Sequence, residues 1–307
     1  MEFVGKKLSR RTLVQKAGVA AGAGLLGLSG AEGLFSQASA SAQTMAGQPR
    51  ALALIGDRFH NPDYIRTSFA RVFKDLNIPV DYTIEYDKIS ADLLKNYQLF
   101  VILRDGQIFP GGYLGPDSWS EYSANLENAP DAAGGRGGAG GGARGGGGGG
   151  GSVMWMTAEQ GAAIKDWVNA GNGFYSMHNS SHISLSNKDY HDVMGGAFIS
   201  HPPLRPFQIR ATANKHPITE GITPFMVNDE QHYVTYDKDP KYVILESENI
   251  DGLTFRDLGT KAIGGWAYDY GKGRVVFTAA GHTNHVLWAP QYLEIQKRSV
   301  KWLLKQI

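Results

Sequence analysis

Apolar runs and amphipathic stretches alternate along most of this chain. Residues 51–55 (ALALI) are uninterruptedly apolar and close on Gly56, as in a buried strand. From 62 to 76 the period changes, and Ile65, Phe69, Val72, Phe73 and Leu76 share one helical face. Residues 80–86 read as a second strand, 91–94 as a short helix, and 99–103 (LFVIL) as a third buried strand. This β-α-β-α-β order predicts a parallel sheet with helices on both faces.

The pattern then breaks between Phe109 and Val153. Residues 134–151 hold 14 glycines in 18 positions, a composition with large backbone entropy and nothing to bury. A disordered, Gly-rich surface insert is expected, at about 124–152. A phosphate-cradling loop is the alternative, but the tract has neither the strand-to-helix frame nor the Lys-Ser/Thr that such loops use. The pattern resumes at Thr157, with Gln160 three residues on, a capping-box pairing that opens a helix ending at Gly171. Later strands are expected at 173–177, 207–211, 233–236 and 242–246. A hairpin of 262–268 with 274–280 turns at 271–273, and 292–305 closes the chain as an amphipathic helix.

The first 42 residues have a different logic. Lys6, Lys7, Arg10 and Arg11 precede a short apolar stretch, 17–28, and A-x-A patterns follow at 38–40 and 40–42. This is a twin-arginine signal. It predicts export to the periplasm or beyond, cleavage near residue 42, and one mature domain over 43–307 with no stable membrane insertion. An uncleaved amphipathic anchor is the alternative.

Composition narrows the chemistry. Lys+Arg 30 against Asp+Glu 29 leaves no basic surplus, so no nucleic-acid partner is expected. The absence of cysteine removes disulfides, thiolate metal sites and Cys nucleophiles together. Aromatic content of 11% suits a sugar-binding surface as well as a core.

In open α/β sheets, ligands bind past the carboxyl ends of the strands. The first strand here is followed by Asp57, Arg58 and His60, the third by Arg104 and Asp105. His178, Asn179, Ser180, Ser181 and His182 follow the strand at 173–177. Gly281, His282, Thr283, Asn284 and His285 follow the last strand. Each alone is an ordinary turn residue; their coincidence at one sheet edge predicts a pocket. His201, held by Pro202, and the Asn228-Asp229-Glu230 segment are further candidates, although neighbouring carboxylates on extended chain point apart. Imidazoles near carboxylates serve either as general acids and bases or as ligands of a divalent ion such as Zn. No helical H-E-x-x-H motif is present, so a metal site would be assembled from separate loops.

These residues carry a resemblance. GNGFYSMH at 171–178, GGAFISHP at 195–202, HPITEG at 216–221, NDE at 228–230 and GKGRVVFTAAGH at 271–282 occur in the order found in the ThuA-like (trehalose-utilisation) family. The resemblance spans about 50–307 apart from the insert. It implies a flavodoxin-like, class I glutamine amidotransferase-like three-layer α/β sandwich with a mainly parallel sheet. His178 stands where amidotransferases carry their nucleophilic Cys, so glutamine hydrolysis through a thioester is excluded. Ser176, Ser180 and Ser181 lack a G-x-S-x-G frame, which disfavours a serine hydrolase. The family's usual Tyr after the Asp-Glu pair is replaced by His232 and then Tyr233.

The resemblance also implies carbohydrate catabolism, with glycosides or 3-keto-glycosides as substrates. On that reading His178 and His282 are base and acid, Asp229 or Glu230 orients a His or binds metal, and His60 completes the catalytic set. Arg104, Asn179, His232 and Trp266 are candidates for substrate contact, and His201 with His282 for metal ligation. Tyr113, Trp119, Trp155 and Tyr268 are further candidates for stacking on sugar, although Trp266 also suits the core. A non-catalytic carbohydrate-binding protein is the alternative, and an interaction module tethered by the glycine tract a third. Oligomeric state is not readable from the sequence.

Overall fold

The computed structural model describes residues 47–109 and 152–307. The export signal, the glycine tract, Tyr113 and Trp119 lie outside the described residues. Strand β1 (Ala51–Ile55) leads to helix α1 (Pro62–Asp75), β2 (Val80–Thr83), the short α2 (Ala91–Leu94) and β3 (Leu99–Leu103). A small pair, β4 (Gln107–Ile108) with β5 (Val153–Met154), precedes α3 (Ala158–Asn169) and β6 (Gly173–Met177). A 3-10 stretch, His178–Leu185, connects β6 to α4 (Lys188–Met194). Strands β7 (Phe198–Ser200), β8 (Arg205–Ala211), β9 (Phe225–Asp229), β10 (Tyr233–Val234), β11 (Val243–Glu248), β12 (Lys261–Tyr270) and β13 (Gly273–Thr278) follow. Helices α5 (Asn284–Leu287) and α6 (Pro290–Leu303) end the fold.

The sequence accounts for the main elements. Asn61 caps α1 by accepting from Asp63 N, and Pro62 occupies the first turn, where a missing N–H costs nothing. Thr157 and Gln160 complete the expected capping box on α3, with bonds of 3.2 and 2.9 Å. Such a cap stabilises a helix by about 1 kcal/mol. Every residue of β1, β3 and β6 is buried, as their unbroken apolar runs require.

The large sheet has the order β2-β1-β3-β6-β13-β12-β11-β8-β9. The first five strands run parallel, and the remaining four extend the sheet by antiparallel pairing. Helices α1 and α6 cover one face and α2, α3 and α4 the other, giving the expected three-layer α/β sandwich. Strand two ends at Thr83, and Tyr86 begins a 3-10 turn instead. The expected strand at 233–236 is only the two-residue β10, which pairs with β7 outside the main sheet. Among the described residues no helix is long and apolar enough to cross a membrane.

Register decides where the chemistry goes. Ile55 pairs with Leu103, Ile102 with Ser176, and Met177 with Thr278. The loops after β1, β3, β6 and β13 therefore leave the sheet side by side. Four antiparallel steps from β13 to β9 restore the original direction, so β9 also ends at this edge and delivers Asp229 and Glu230 there.

Candidate active site

Asp57, just past β1, organises the first loop. Its Oδ1 accepts from Phe59 N (2.7 Å), His60 N (3.0 Å) and His60 Nδ1 (2.9 Å). Its Oδ2 accepts from Asp105 N and Asn179 Nδ2, both at 2.8 Å. The Asn179 amide nitrogen also lies 2.7 Å from His60 Nδ1. Burial alone would push the Asp57 carboxyl up, but the His60 bond and charge and the backbone donors outweigh it and hold it well below the usual range. With Nδ1 turned to an ionised carboxylate, the His60 ring points Nε2 outward to Nδ1 of His282, 2.9 Å away.

His178 occupies the first position after β6 with φ at +52°. A left-handed conformation costs a non-glycine residue about 1–3 kcal/mol and is retained where surrounding structure enforces it. Here Gly281 makes the turn possible, since a β-carbon at 281 would stand 2.9 Å from His178 Cβ. The fully buried His178 ring donates Nδ1–H to Ala279 O at 2.8 Å. Its Nε2 has no hydrogen-bond partner and faces Glu230 Oε2 at 3.5 Å.

Asp229 and Glu230 do point apart, as extended chain requires, but neither is left to solvent. Asp229 is completely buried, and its carboxylate accepts from the N–H groups of Gly281 (2.8 Å), His282 (3.3 Å) and Thr283 (2.9 Å). Burial raises its pKa, with the His178 charge and the Gly281 N–H opposing. Asp229 thus fixes the loop carrying His282, and Tyr64 adds a bond from its hydroxyl to His282 O at 2.7 Å.

Glu230 turns the other way, into the imidazoles. Its Oε2 lies 3.2 Å from His282 Nδ1, 3.5 Å from Nε2 of both His178 and His232, and 3.7 Å from His201 Nε2. Burial would raise the Glu230 pKa, but the imidazoles of His178, His232 and His282 facing its carboxylate override it and keep the group ionised. His282 moves oppositely: burial lowers it, and Glu230 more than compensates, raising its pKa. His232, wholly buried beside the His178 charge, is pushed well below the ordinary imidazole value.

The remaining imidazoles form a ladder. His178 stacks on His232 at 3.9 Å between ring centres, and His232 on His201 at 5.0 Å. His201 Nδ1 donates to Pro202 O at 2.9 Å, which turns its Nε2 inward. The side chains of His201 and His282 are 28% and 22% exposed, while those of His60, His178 and His232 are almost sealed, so substrate would approach past the first two.

The structure therefore brings together His60, His178, His201, Glu230, His232 and His282, with Asp229 and Asn179 bracing them from behind. It does not bring in every candidate. Trp266 is fully buried, donates Nε1–H to Met194 O at 2.8 Å and packs on Phe277; it is a core residue and cannot stack on a sugar. Trp155 and Tyr268 are buried too, bonded to Asp105 O and Val193 O. Arg104 donates to Gly56 O and lies 4.5 Å from the Tyr86 ring centre, so it braces two strand-end loops instead of meeting substrate. Asn179 is 4% exposed and committed to Asp57, a positioning role rather than a substrate contact. Ser176 shares its hydroxyl with Ser180 and Tyr190 in a sealed network, with no imidazole among the partners. Two contributors were not assigned roles from the sequence. Asp57 had a signal, an acid three residues before a His on a tight loop; Tyr64, on α1, had none.

Comparison with known proteins identifies the fold and its family. The family model described as ThuA, trehalose utilisation, matches residues 150–303. A ThuA-like protein from Parabacteroides merdae superposes with a TM-score of 0.55 at 14% identity, over 84% of this chain and 91% of that one. One from Bacteroides uniformis gives 0.53 at 14% identity, over 84% and 93%. At such identity the likeness establishes the fold. No curated protein matches the sequence.

Proposed function

Because the chain belongs to the ThuA (trehalose-utilisation) family, we propose that it is an exported enzyme of carbohydrate catabolism acting on a glycoside or 3-keto-glycoside at the His/Glu cluster. One observation carries this reading: four imidazoles lie within 3.7 Å of a single carboxylate oxygen, and a fifth joins through His282. A binding protein gains nothing from burying so many titratable groups together, whereas acid/base and electrostatic catalysis need them. The family description supports the sugar, and the leader sequence supports export by the twin-arginine route.

A ketone at C3 of a glycoside acidifies the C2 hydrogen. A base removes that proton, and the electron pair moves toward the C3 oxygen as an enolate. The enolate then expels the C1 oxygen substituent, which takes a proton from a protonated imidazole of the cluster, leaving a C1–C2 double bond conjugated to the ketone. Water adds at C1 and a proton returns to C2, which completes net hydrolysis. His201, the most exposed imidazole of the cluster, is the group suited to take the C2 proton. The buried cluster around Glu230 is suited to hold the charge developing on oxygen. This assignment moves the proton-transfer role from His178, whose ring is enclosed, to the mouth of the site.

The test is turnover of 3-keto-trehalose and of trehalose by the mature protein, read as released monosaccharide, for wild type and Glu230→Gln. Turnover of either sugar that falls by about 10²–10⁴-fold in the variant is the expected result. Saturable sugar binding without turnover in wild type would replace the enzyme with a carbohydrate-binding protein.

A further inference from the structure

We propose that His60, His178, His282 and Glu230 form a mononuclear divalent-metal centre, for which zinc is the fitting ion. The proposal rests on the cluster being the reacting centre, and it names the group that does the electrostatic work there.

The donor atoms come first. One ligand atom from each of these four residues lies within 4.8 Å of all the others. Three contacts within the set measure 2.9 Å (His60 Nε2 to His282 Nδ1), 3.2 Å (His282 Nδ1 to Glu230 Oε2) and 3.5 Å (His178 Nε2 to Glu230 Oε2). Tetrahedral zinc with bonds of about 2.0–2.1 Å requires ligand atoms about 3.3 Å apart. The observed spacings bracket that value before any ion is placed.

The backs of the rings supply a second, independent argument. Carbonyl and carboxylate oxygens only accept, so His178 must carry its hydrogen on Nδ1 toward Ala279 O. His60 likewise turns Nδ1 to Asp57. In their neutral forms both rings turn Nε2 lone pairs toward the His282–Glu230 pair, which is how carboxylate–histidine–metal and carbonyl–histidine–metal arrangements orient their ligands. A cation placed between these lone pairs and the carboxylate would be held by all of them at once.

A third argument is the burial of His178 Nε2, which has no hydrogen-bond partner and faces only Glu230 Oε2, at 3.5 Å. Leaving such an atom unpaired costs about 1–3 kcal/mol, and the left-handed turn that aims it there adds to this. Coordination by His178 accounts for both features. Three nitrogens and one carboxylate exclude Mg²⁺ and Ca²⁺, which take oxygen ligands, and suit zinc or a neighbouring first-row ion. His201 and His232 form a separate group with Glu230 and stay outside the ligand set. His282 is thus retained from the sequence-based ligand pair and His201 is replaced. The ion would supply Lewis acidity toward a sugar carbonyl or bound water.

The experiment measures metal content of the full mature protein by elemental analysis, as purified and after chelation followed by Zn²⁺ alone. Variants are His178→Ala, His282→Ala and His201→Ala, each checked by circular dichroism and melting. About one ion per chain in wild type and His201→Ala, falling more than tenfold in the other two, is expected. Failure of chelated wild type to take up Zn²⁺, or equal loss in His201→Ala, would overturn the centre. Co²⁺ substitution in wild type avoids dependence on variant folding: intense visible bands of four-coordinate Co²⁺ are expected, and only weak six-coordinate bands would refute the proposal. Turnover of sugar at the wild-type rate by metal-free protein overturns the metal and leaves the function. Stoichiometric metal without turnover of any glycoside does the reverse.

Discussion

Nε2 of His60 lies 2.9 Å from Nδ1 of His282, although 222 residues separate them in the chain. The contact exists because β1 and β13 end at the same edge of the sheet and because Asp57 holds the far side of the His60 ring. Asp57→Asn keeps the shape and removes the charge. Outer partners of ligating or catalytic histidines typically contribute 10–100-fold to affinity or activity. The variant should therefore lose about 10–100-fold in Zn²⁺ affinity and in kcat/KM, measured by competition with a chromogenic chelator and by sugar release. Unchanged values for both would assign Asp57 to loop structure alone.

Asp229 does its work on backbone. It accepts three N–H groups from residues 281–283 while fully buried. Asp229→Ala strands those donors, and each buried unsatisfied group costs about 1–3 kcal/mol. A loss of about 3 kcal/mol or more in urea unfolding is expected. Asp229→Asn, whose amide oxygen still accepts, should lose less. A cost below about 1 kcal/mol for the alanine variant would mean the loop is held by Tyr64 and its own packing.

The parallel half of the fold was legible because a strand buried on both faces must be a continuous apolar run, as in ALALI and LFVIL. The antiparallel extension was harder. Strand β9 alternates in burial, but with an apolar Met226 outward and an acidic Asp229 inward the sequence hides it, and β7 has only three residues. Site residues followed the same division. His60, His178 and His282 could be found because strand ends are where a parallel sheet places its ligands. Trp266 could not be assigned, since alternation along β12 does not tell an inward indole from an outward one when both sheet faces are covered. That Asp229 and Glu230 reach this edge at all depends on the direction of β9, and only four successive pairings fix that.

His216 gives a pH signature unrelated to the cluster. It caps the 3-10 turn Pro217–Thr219 by accepting from Ile218 N, and its ring stands 4.9 Å from Trp302. Burial, then the Arg274 charge, lower its pKa from 6.5 to about 4, with Asp269 opposing. Between those values the unfolded chain binds a proton that the folded chain refuses, so this contribution to stability is intact above 6.5 and declines as pH falls toward 4. His216→Asn keeps an acceptor for the cap and removes the titration. The melting temperature of wild type should drop relative to this variant over that range, as read by scanning calorimetry. Parallel curves would show that His216 protonates freely in the fold.

Gly281 tests whether the site tolerates displacement. Its position is set by approach, since a β-carbon there would come within 2.9 Å of His178 Cβ, with Leu103 Cδ1 at 3.5 Å behind. The left-handed turn at His178 leaves that ring no room to retreat, so in Gly281→Ala the 281–283 loop must give way. That loop carries His282, whereas the core is met only at Leu103, in ordinary contact. A misplacement of the order of 1 Å in a reacting group costs about 10²-fold in rate. Gly281→Ala should therefore lose far more in kcat than its melting temperature would suggest, and Gly281→Ser should do the same. A variant with wild-type kcat and only a lowered melting temperature would show that the close approach of residues 178 and 281 serves packing, and that His282 is free to move without consequence.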